Sequence, residues 1–292
     1  MPISCPTLNF GLSRRQWLLG LGALAAAGVG AGLPGPVYAQ SQAQAQAFDH
    51  SHAAWTAVLR KHVVLLDGGK ASQLRYAGMA ADRAALKAYT DSLTAVSKNS
   101  FEAFGKAQQM AFLINAYNAF TVQLILTRYP KLASIRDLGS LLSSPWKPKF
   151  IPLLGTEMSL DNIEHDTLRA KGRYDDPRIH FAVNCASIGC PMLREEAFVA
   201  ERLEAQLEEQ TLRFMSDRSR NRYEGGRLQV SKIFDWYGGD FKLGHKGIAS
   251  LPAFMARYAN ALADAPADRE RISSMSADIG FLDYDWKLND AR

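Results

Sequence analysis

The segment MAFLINAYNAFTVQLIL, Met110 to Leu126, is apolar on nearly every helical face. A helix of that kind has no side to offer water, so it predicts the centre of a core with the rest of the chain packed around it. Asn115, Asn118 and Gln123 make it too polar to cross a bilayer. Asn115 and Asn118 lie three residues apart and share a face. A buried amide without a partner costs about 1–3 kcal/mol. The pair is therefore expected to bond neighbouring backbone or a bound molecule.

The N-terminus reads as an address. Arg14-Arg15 precede an uncharged Leu/Ala/Gly run from Trp17 to Leu33, and Val37-Tyr38-Ala39 follows a Pro-Gly-Pro break. This is the pattern of a twin-arginine export signal over residues 1–39, so the mature protein is expected in the periplasm or outside the cell, with no stable membrane span after cleavage. SQAQAQAF then gives a polar linker over residues 40–48, and residues 49–292 are expected to form one domain. The formal net charge of +5 is mild and contains no like-charged block, which gives nucleic-acid binding no support.

Local patterns predict a helix-rich α+β chain. Trp55, Val58, Leu59, His62 and Leu66 mark a helix stopped by Asp67-Gly68-Gly69, and a second helix spans about Asp82 to Val96. FIPLLGTEMSL and NRYEGGRLQV read as hairpins. Asp161 resembles the start of a capping box with Glu164, with Ser159 as a rival cap. REEAFVAERLEAQLEEQTLRFM is an amphipathic helix, IFDWYGGDF an aromatic turn, and the tail GFLDYDWKLND a final strand. Together these predict helices packed on a mixed or antiparallel sheet of about four to six strands.

The chemistry concentrates in RIHFAVNCASIGCP, Arg178 to Pro191. As a strand it would place Ile179, Phe181, Val183 and Cys185 on one face and His180 and Asn184 on the other. Cys185 and His180 would then meet only through a bend near Asn184–Cys185. Three readings of Cys185 stay open. It is a nucleophile served by His180, His165 or His245, with Glu164 or Asp176 orienting the imidazole; a disulfide partner of Cys190, worth about 2 kcal/mol for so short a loop; or an inert thiol. Cys190, before Pro191 and an expected helix, is a rival nucleophile or a resolving thiol. No standard metal spacing, phosphate loop, G-x-S-x-G or H-E-x-x-H occurs, so no metal or cofactor is expected.

Three blocks, FLINAYNAF (112–120), LDNIEHDTLR (160–169) and DPRIHFAVNCASIGCPMLREEAF (176–198), together resemble the domain of unknown function 547 family over about residues 101–215. The resemblance implies a site built from Asn115, Tyr117, Asn118, Glu164, His165, Asp176, Arg178, His180 and Cys185. A papain-like or transglutaminase-like thiol enzyme is the fold-level analogy. The resulting expectation is a thiol-dependent hydrolase or acyl transferase acting on amide bonds of a peptide-like substrate. In it Cys185 attacks, His180 or His165 takes the proton, Glu164 orients, and Asn115, Tyr117, Asn118, Arg178 and Asp176 bind substrate. The alternatives are a non-catalytic module for a small ligand or envelope partner, and a thiol/disulfide redox protein.

Overall fold

The 21-residue helix Lys106–Leu126 is buried without a break from Met110 to Val122, which is what an apolar surface on all sides requires. The computed structural model describes residues 47–140 and 143–291; the export signal and nearly all of the expected linker lie outside the described residues. Among the described residues no helix is long and apolar enough to cross a membrane. The side chains of Ile114, Ala116 and Ala119, like most of this helix, sit in a large apolar cluster with Trp55, Leu86 and Ile163. A second cluster gathers Phe181, Phe214, Phe234 and Phe254.

The class is α+β, with strands of only three or four residues. They do not join into the expected single sheet. Val63–Leu66 pairs with Ala71–Leu74, Ile151–Leu153 with Thr156–Met158, and Arg222–Glu224 with Arg227–Val230, which also takes Ile279–Phe281 in parallel. Each hairpin is closed by its own turn. At Asp67-Gly68-Gly69 that turn has three positive φ angles, 47°, 62° and 89°, so the two glycines reverse a hairpin and do not stop a helix. The first helix is correspondingly short, Ala53–His62.

Asn115 and Asn118 are both spent on backbone. Asn115 donates to the Phe198 carbonyl at 2.7 Å and accepts the Phe198 N–H at 3.0 Å. Asn118 donates to the Ala182 carbonyl at 2.9 Å and accepts the Asn184 N–H at 2.8 Å. The expectation that they hold substrate is therefore corrected: they pin two irregular segments to the central helix. Asn118→Ala leaves a buried donor and a buried acceptor unpaired. It is expected to cost about 1–3 kcal/mol in urea unfolding; a loss below about 0.5 kcal/mol would mean the clamp is not what holds residues 182–184.

The chemical stretch is not a strand. Ile179–Ala182 forms one turn of helix, and all four residues are buried. Phe181 enters the second apolar cluster, whereas Ile179 and Ala182 enter the first. A segment buried on every side has no two-faced alternation to obey. Val183 then extends and Ala186 takes a positive φ of 64°, which supplies the bend near Cys185. Asn184 closes the following loop by donating to the Pro191 carbonyl at 2.7 Å and accepting the Ala186 N–H at 2.9 Å.

No helix begins at Pro191. The expected 194–215 helix starts only at Leu203 and runs to Ser216. Arg194, Glu195 and Glu196 instead run beside it and pair with Glu209, Arg213 and Arg202, while Gln206 accepts the Val199 N–H at 2.9 Å. Cys190 thus has no helix dipole to lower its pKa.

Candidate active site

A cavity of about 340 Å³ lies where the turn carrying His180, the bent loop carrying Cys185 and Cys190, the 162–168 segment and the C-terminal tail meet. The segment Asn162–Leu168 is a π-helix, closed by the Arg169 N–H on the Glu164 carbonyl at 2.9 Å. Its start is capped reciprocally by Ser159 and Asn162, at 3.1 and 3.0 Å, and not by Asp161. The wide turn presents Asp161, Glu164 and His165 to the cavity together.

The tail is the missing wall. After Phe281 it leaves the sheet and lies along the thiol loop: Ile188 N–H bonds the Lys287 carbonyl and Gly189 N–H the Asp285 carbonyl, both at 2.8 Å. A Cβ at Gly189 would come to 3.0 Å from the Asp285 backbone and the Tyr284 ring, so a larger residue would push the tail back by a few tenths of an ångström. The tail is not the single strand expected. Its approach brings Tyr284 and Trp286 to the cavity.

Cys185 is half-buried and Cys190 buried; both are free thiols here. The Cys185 N–H donates to Cys190 Sγ at 2.8 Å. The Cys185 sulfur lies 3.2 Å from the Tyr284 hydroxyl and 3.7 Å from Ser187 Oγ. The hydrogen bond from Cys190 lowers the Cys185 pKa most; burial opposes it, and Tyr284 and Ser187 add to the lowering. Cys190 moves the other way, raised by burial and by its bond to Cys185. Burial, with the nearby Cys185 charge, also holds Tyr284 protonated. The three groups therefore favour a thiolate at 185 flanked by an S–H and an O–H donor.

His180 is 3 % exposed, lines the same cavity and meets Asp240 Oδ2 through Nε2 at 2.8 Å. A carboxylate only accepts, so Nε2 carries the proton and Nδ1 is left as the basic nitrogen. The ring stacks on Tyr237 at 4.1 Å between centroids. Asp240 is also held by Arg169, at 2.6 and 3.2 Å. Burial alone would raise its carboxyl, but bonds from His180 and Arg169 outweigh that and hold it well below the ordinary carboxylate range.

His165 is placed differently. Its Nδ1 lies 2.5 Å from Arg169 Nη1, and a guanidinium can only donate, so that nitrogen's lone pair is occupied. Its other nitrogen faces Asp161 at 3.7 Å. Glu164 bonds neither imidazole among the described residues; the carboxylate bonded to His180 is Asp240. The expected base–thiol bond is also not formed: among the described residues the nearest hydroxyl partner of Cys185 is Tyr284.

Arg178 and Asp176 are outside the cavity. Arg178 is 1 % exposed, bonds Asp176 at 2.7 and 3.0 Å, and reaches Glu204 at 2.7 Å and Glu208 at 3.2 Å. Their expected part in substrate binding is corrected to a structural ion-pair network that also draws in His245, 3.6 Å from Asp176. Tyr117 does line the cavity, buried beneath it.

Sequence reasoning missed Asp240, Arg169, Tyr237 and Tyr284. Asp240 lies 60 residues from His180 and Tyr284 lies 99 from Cys185. Arg169 closes the LDNIEHDTLR block; for the other three the signal was the unusual mixture of Asp and aromatics in DWYGGDF and DYDW.

Residues 101–215 match a family model described as "Protein of unknown function, DUF547". That span carries Tyr117, Glu164, His165, His180, Cys185 and Cys190, but stops short of Asp240 and Tyr284. No curated protein and no solved structure matches the chain.

Proposed function

We propose that this protein is an exported thiol-dependent hydrolase or acyl transferase acting on amide bonds, with Cys185 as nucleophile, His180 as base and Asp240 as the group that orients the base. The observation that carries the reading is a lowered-pKa thiol in one cavity with an imidazole whose far nitrogen donates to a carboxylate at 2.8 Å. His180 is favoured over His165 because its second nitrogen keeps its lone pair.

In this reading His180 Nδ1 takes the Cys185 thiol proton, and the resulting thiolate attacks the substrate carbonyl carbon to form a C–S bond. The developing oxyanion is stabilised by donors at the cavity wall, among which the Tyr284 hydroxyl is nearest the sulfur. The imidazolium of His180 gives its Nδ1 proton to the leaving nitrogen, the C–N bond breaks, and an acyl thioester remains. Water, or an amine, then attacks that thioester with His180 Nδ1 taking the proton, the C–S bond breaks, and the Cys185 thiolate leaves as the acid or new amide is released.

The free thiol of Cys190 at the nucleophile's amide is compatible with redox exchange as well, but the imidazole–carboxylate pair has no part in that chemistry. An activated ester tests the proposal. One equivalent of p-nitrophenol per chain, with an acetyl adduct on the Cys185 peptide after incubation with p-nitrophenyl acetate, is the expected result. Acetylation spread over surface lysines with none at Cys185 would overturn it.

A further inference from the structure

The cavity walls carry six aromatic side chains and two carboxylates, and no Lys or Arg among the described residues. Glu164 is only 6 % exposed yet faces this space, and no cation pairs with it among the described residues. Its neighbours are phenols: burial and then the Glu164 charge itself push both Tyr117 and Tyr237 up, so both stay neutral, and Tyr237 also hydrogen-bonds the Glu164 carboxylate. Arg169 lies over the Tyr237 ring at 4.7 Å, but Asp240 claims its charge. Asp161 adds a second acidic group, 3.7 Å from His165.

A phenol donor satisfies one lone pair of a buried carboxylate but leaves its charge without a counter-charge. Rings of Tyr and Trp attract cations through their negative faces. The chain's net charge is +5, yet the lining of this cavity carries carboxylates and aromatic faces without a Lys or Arg among the described residues. We infer that the site takes a substrate bearing an ammonium group, a primary amine or an amino-terminal peptide end. Glu164 pairs with that group, and the rings of Tyr117, Tyr237 and Trp146 enclose it. The inference rests on the cavity being the site proposed above, and it supplies the substrate class: amine-bearing acyl donors, or amines as the acceptors that resolve the thioester.

Charged methanethiosulfonates read this without any turnover. The Cys185 thiolate attacks their sulfenyl sulfur, forms a mixed disulfide and releases methanesulfinate. Labelling rates for the trimethylammonium-ethyl and sulfonato-ethyl reagents are each divided by their rates on free cysteine and by that of the neutral methyl reagent on the same protein. Mass spectrometry assigns the label to Cys185. The expected cation-to-anion ratio is at least about tenfold at low salt, because a charged cleft concentrates counter-ions. It should collapse toward one in Glu164→Gln, and fall partway in Asp161→Asn and in wild type at about 1 M salt.

A wild-type ratio at or below one, or a tenfold ratio that Glu164→Gln leaves intact, would overturn the inference. The two proposals separate cleanly. Cation preference without acetylation by the ester sinks the enzyme and keeps the ammonium site. Acetylation with a ratio of one sinks the ammonium site alone.

Discussion

Cys185→Ala is expected to lower the rate of single-turnover acylation by about 10⁴-fold or more, and His180→Gln by about 10²–10⁴-fold. Cys185→Ala should unfold at nearly the wild-type urea midpoint, whereas His180→Gln, which loses a buried bond to Asp240, should lose about 1–3 kcal/mol and stay folded. The sharper expectation concerns the double variant. Nucleophile and base act as one unit, so Cys185→Ala/His180→Gln should be no slower than Cys185→Ala alone. Asp240→Asn tests the third member. An amide in place of the carboxylate can offer Nε2 either its oxygen or its donor, so the imidazole loses its fixed tautomer while Arg169 loses its ion pair. A rate loss in Asp240→Asn as large as that in His180→Gln would assign the carboxylate to positioning the base. Full activity in Asp240→Asn would reduce the 2.8 Å contact to packing.

The second large effect is on stability. Arg178→Met removes a buried cation from three carboxylates, of which Asp176 is nearly buried, Glu208 partly exposed and Glu204 exposed. Only the Arg178–Asp176 pair is buried, and taking one partner from such a pair costs about 3–5 kcal/mol as an upper bound here, since solvent and Lys246 screen Glu204. The measurement is the free energy of urea unfolding at neutral pH. If Arg178 instead bound substrate, the variant would keep its stability and lose affinity, and the structural assignment would be wrong.

The pH dependence follows in sign. Hydrogen bonding to Arg178, opposed by burial and helped by Lys246, holds the Glu204 carboxyl down at about 2. A depressed folded-state pKa contributes stability above the ordinary carboxylate range, and that contribution is lost as pH falls from there toward about 2. Wild-type stability should therefore fall over this acid window, and the Arg178→Met variant should lose less across it.

The sequence made the centre of the molecule legible and its edges only partly so. A 17-residue segment apolar on nearly all faces is expected to be buried, and all of it but Gln123 and Leu124 is. Both two-strand hairpins read from turn residues form, at Gly155 and at Gly225-Gly226. The helix-rich α+β class followed from the same local patterns. The turn carrying His180 was unreadable because period-2 reasoning assumes one wet face, and these four residues have none.

The site was half legible. Cys185, Cys190, His180, His165, Glu164 and Tyr117 do share a cavity, and the polar residues in the matched span pointed to it. Arg178 and Asp176 belong to the same motif but serve the fold, since a motif does not distinguish a buried salt bridge from a ligand contact. Asn115 and Asn118 likewise carry the geometry of the loop, not of a ligand. Asp240 and Tyr284 reach the site by long-range packing of the tail and an aromatic turn, which no local spacing encodes.

Alkylation of the reduced native protein by iodoacetamide, followed as a function of pH with the label located by mass spectrometry, bears most directly on whether three distant segments build one reactive thiol. The account predicts label on Cys185 alone, Cys190 protected, and a half-maximal rate below the ordinary thiol pKa of about 8.5 that moves upward in Tyr284→Phe. No labelling of the native chain, or a midpoint at or above that of a free cysteine, would contradict it.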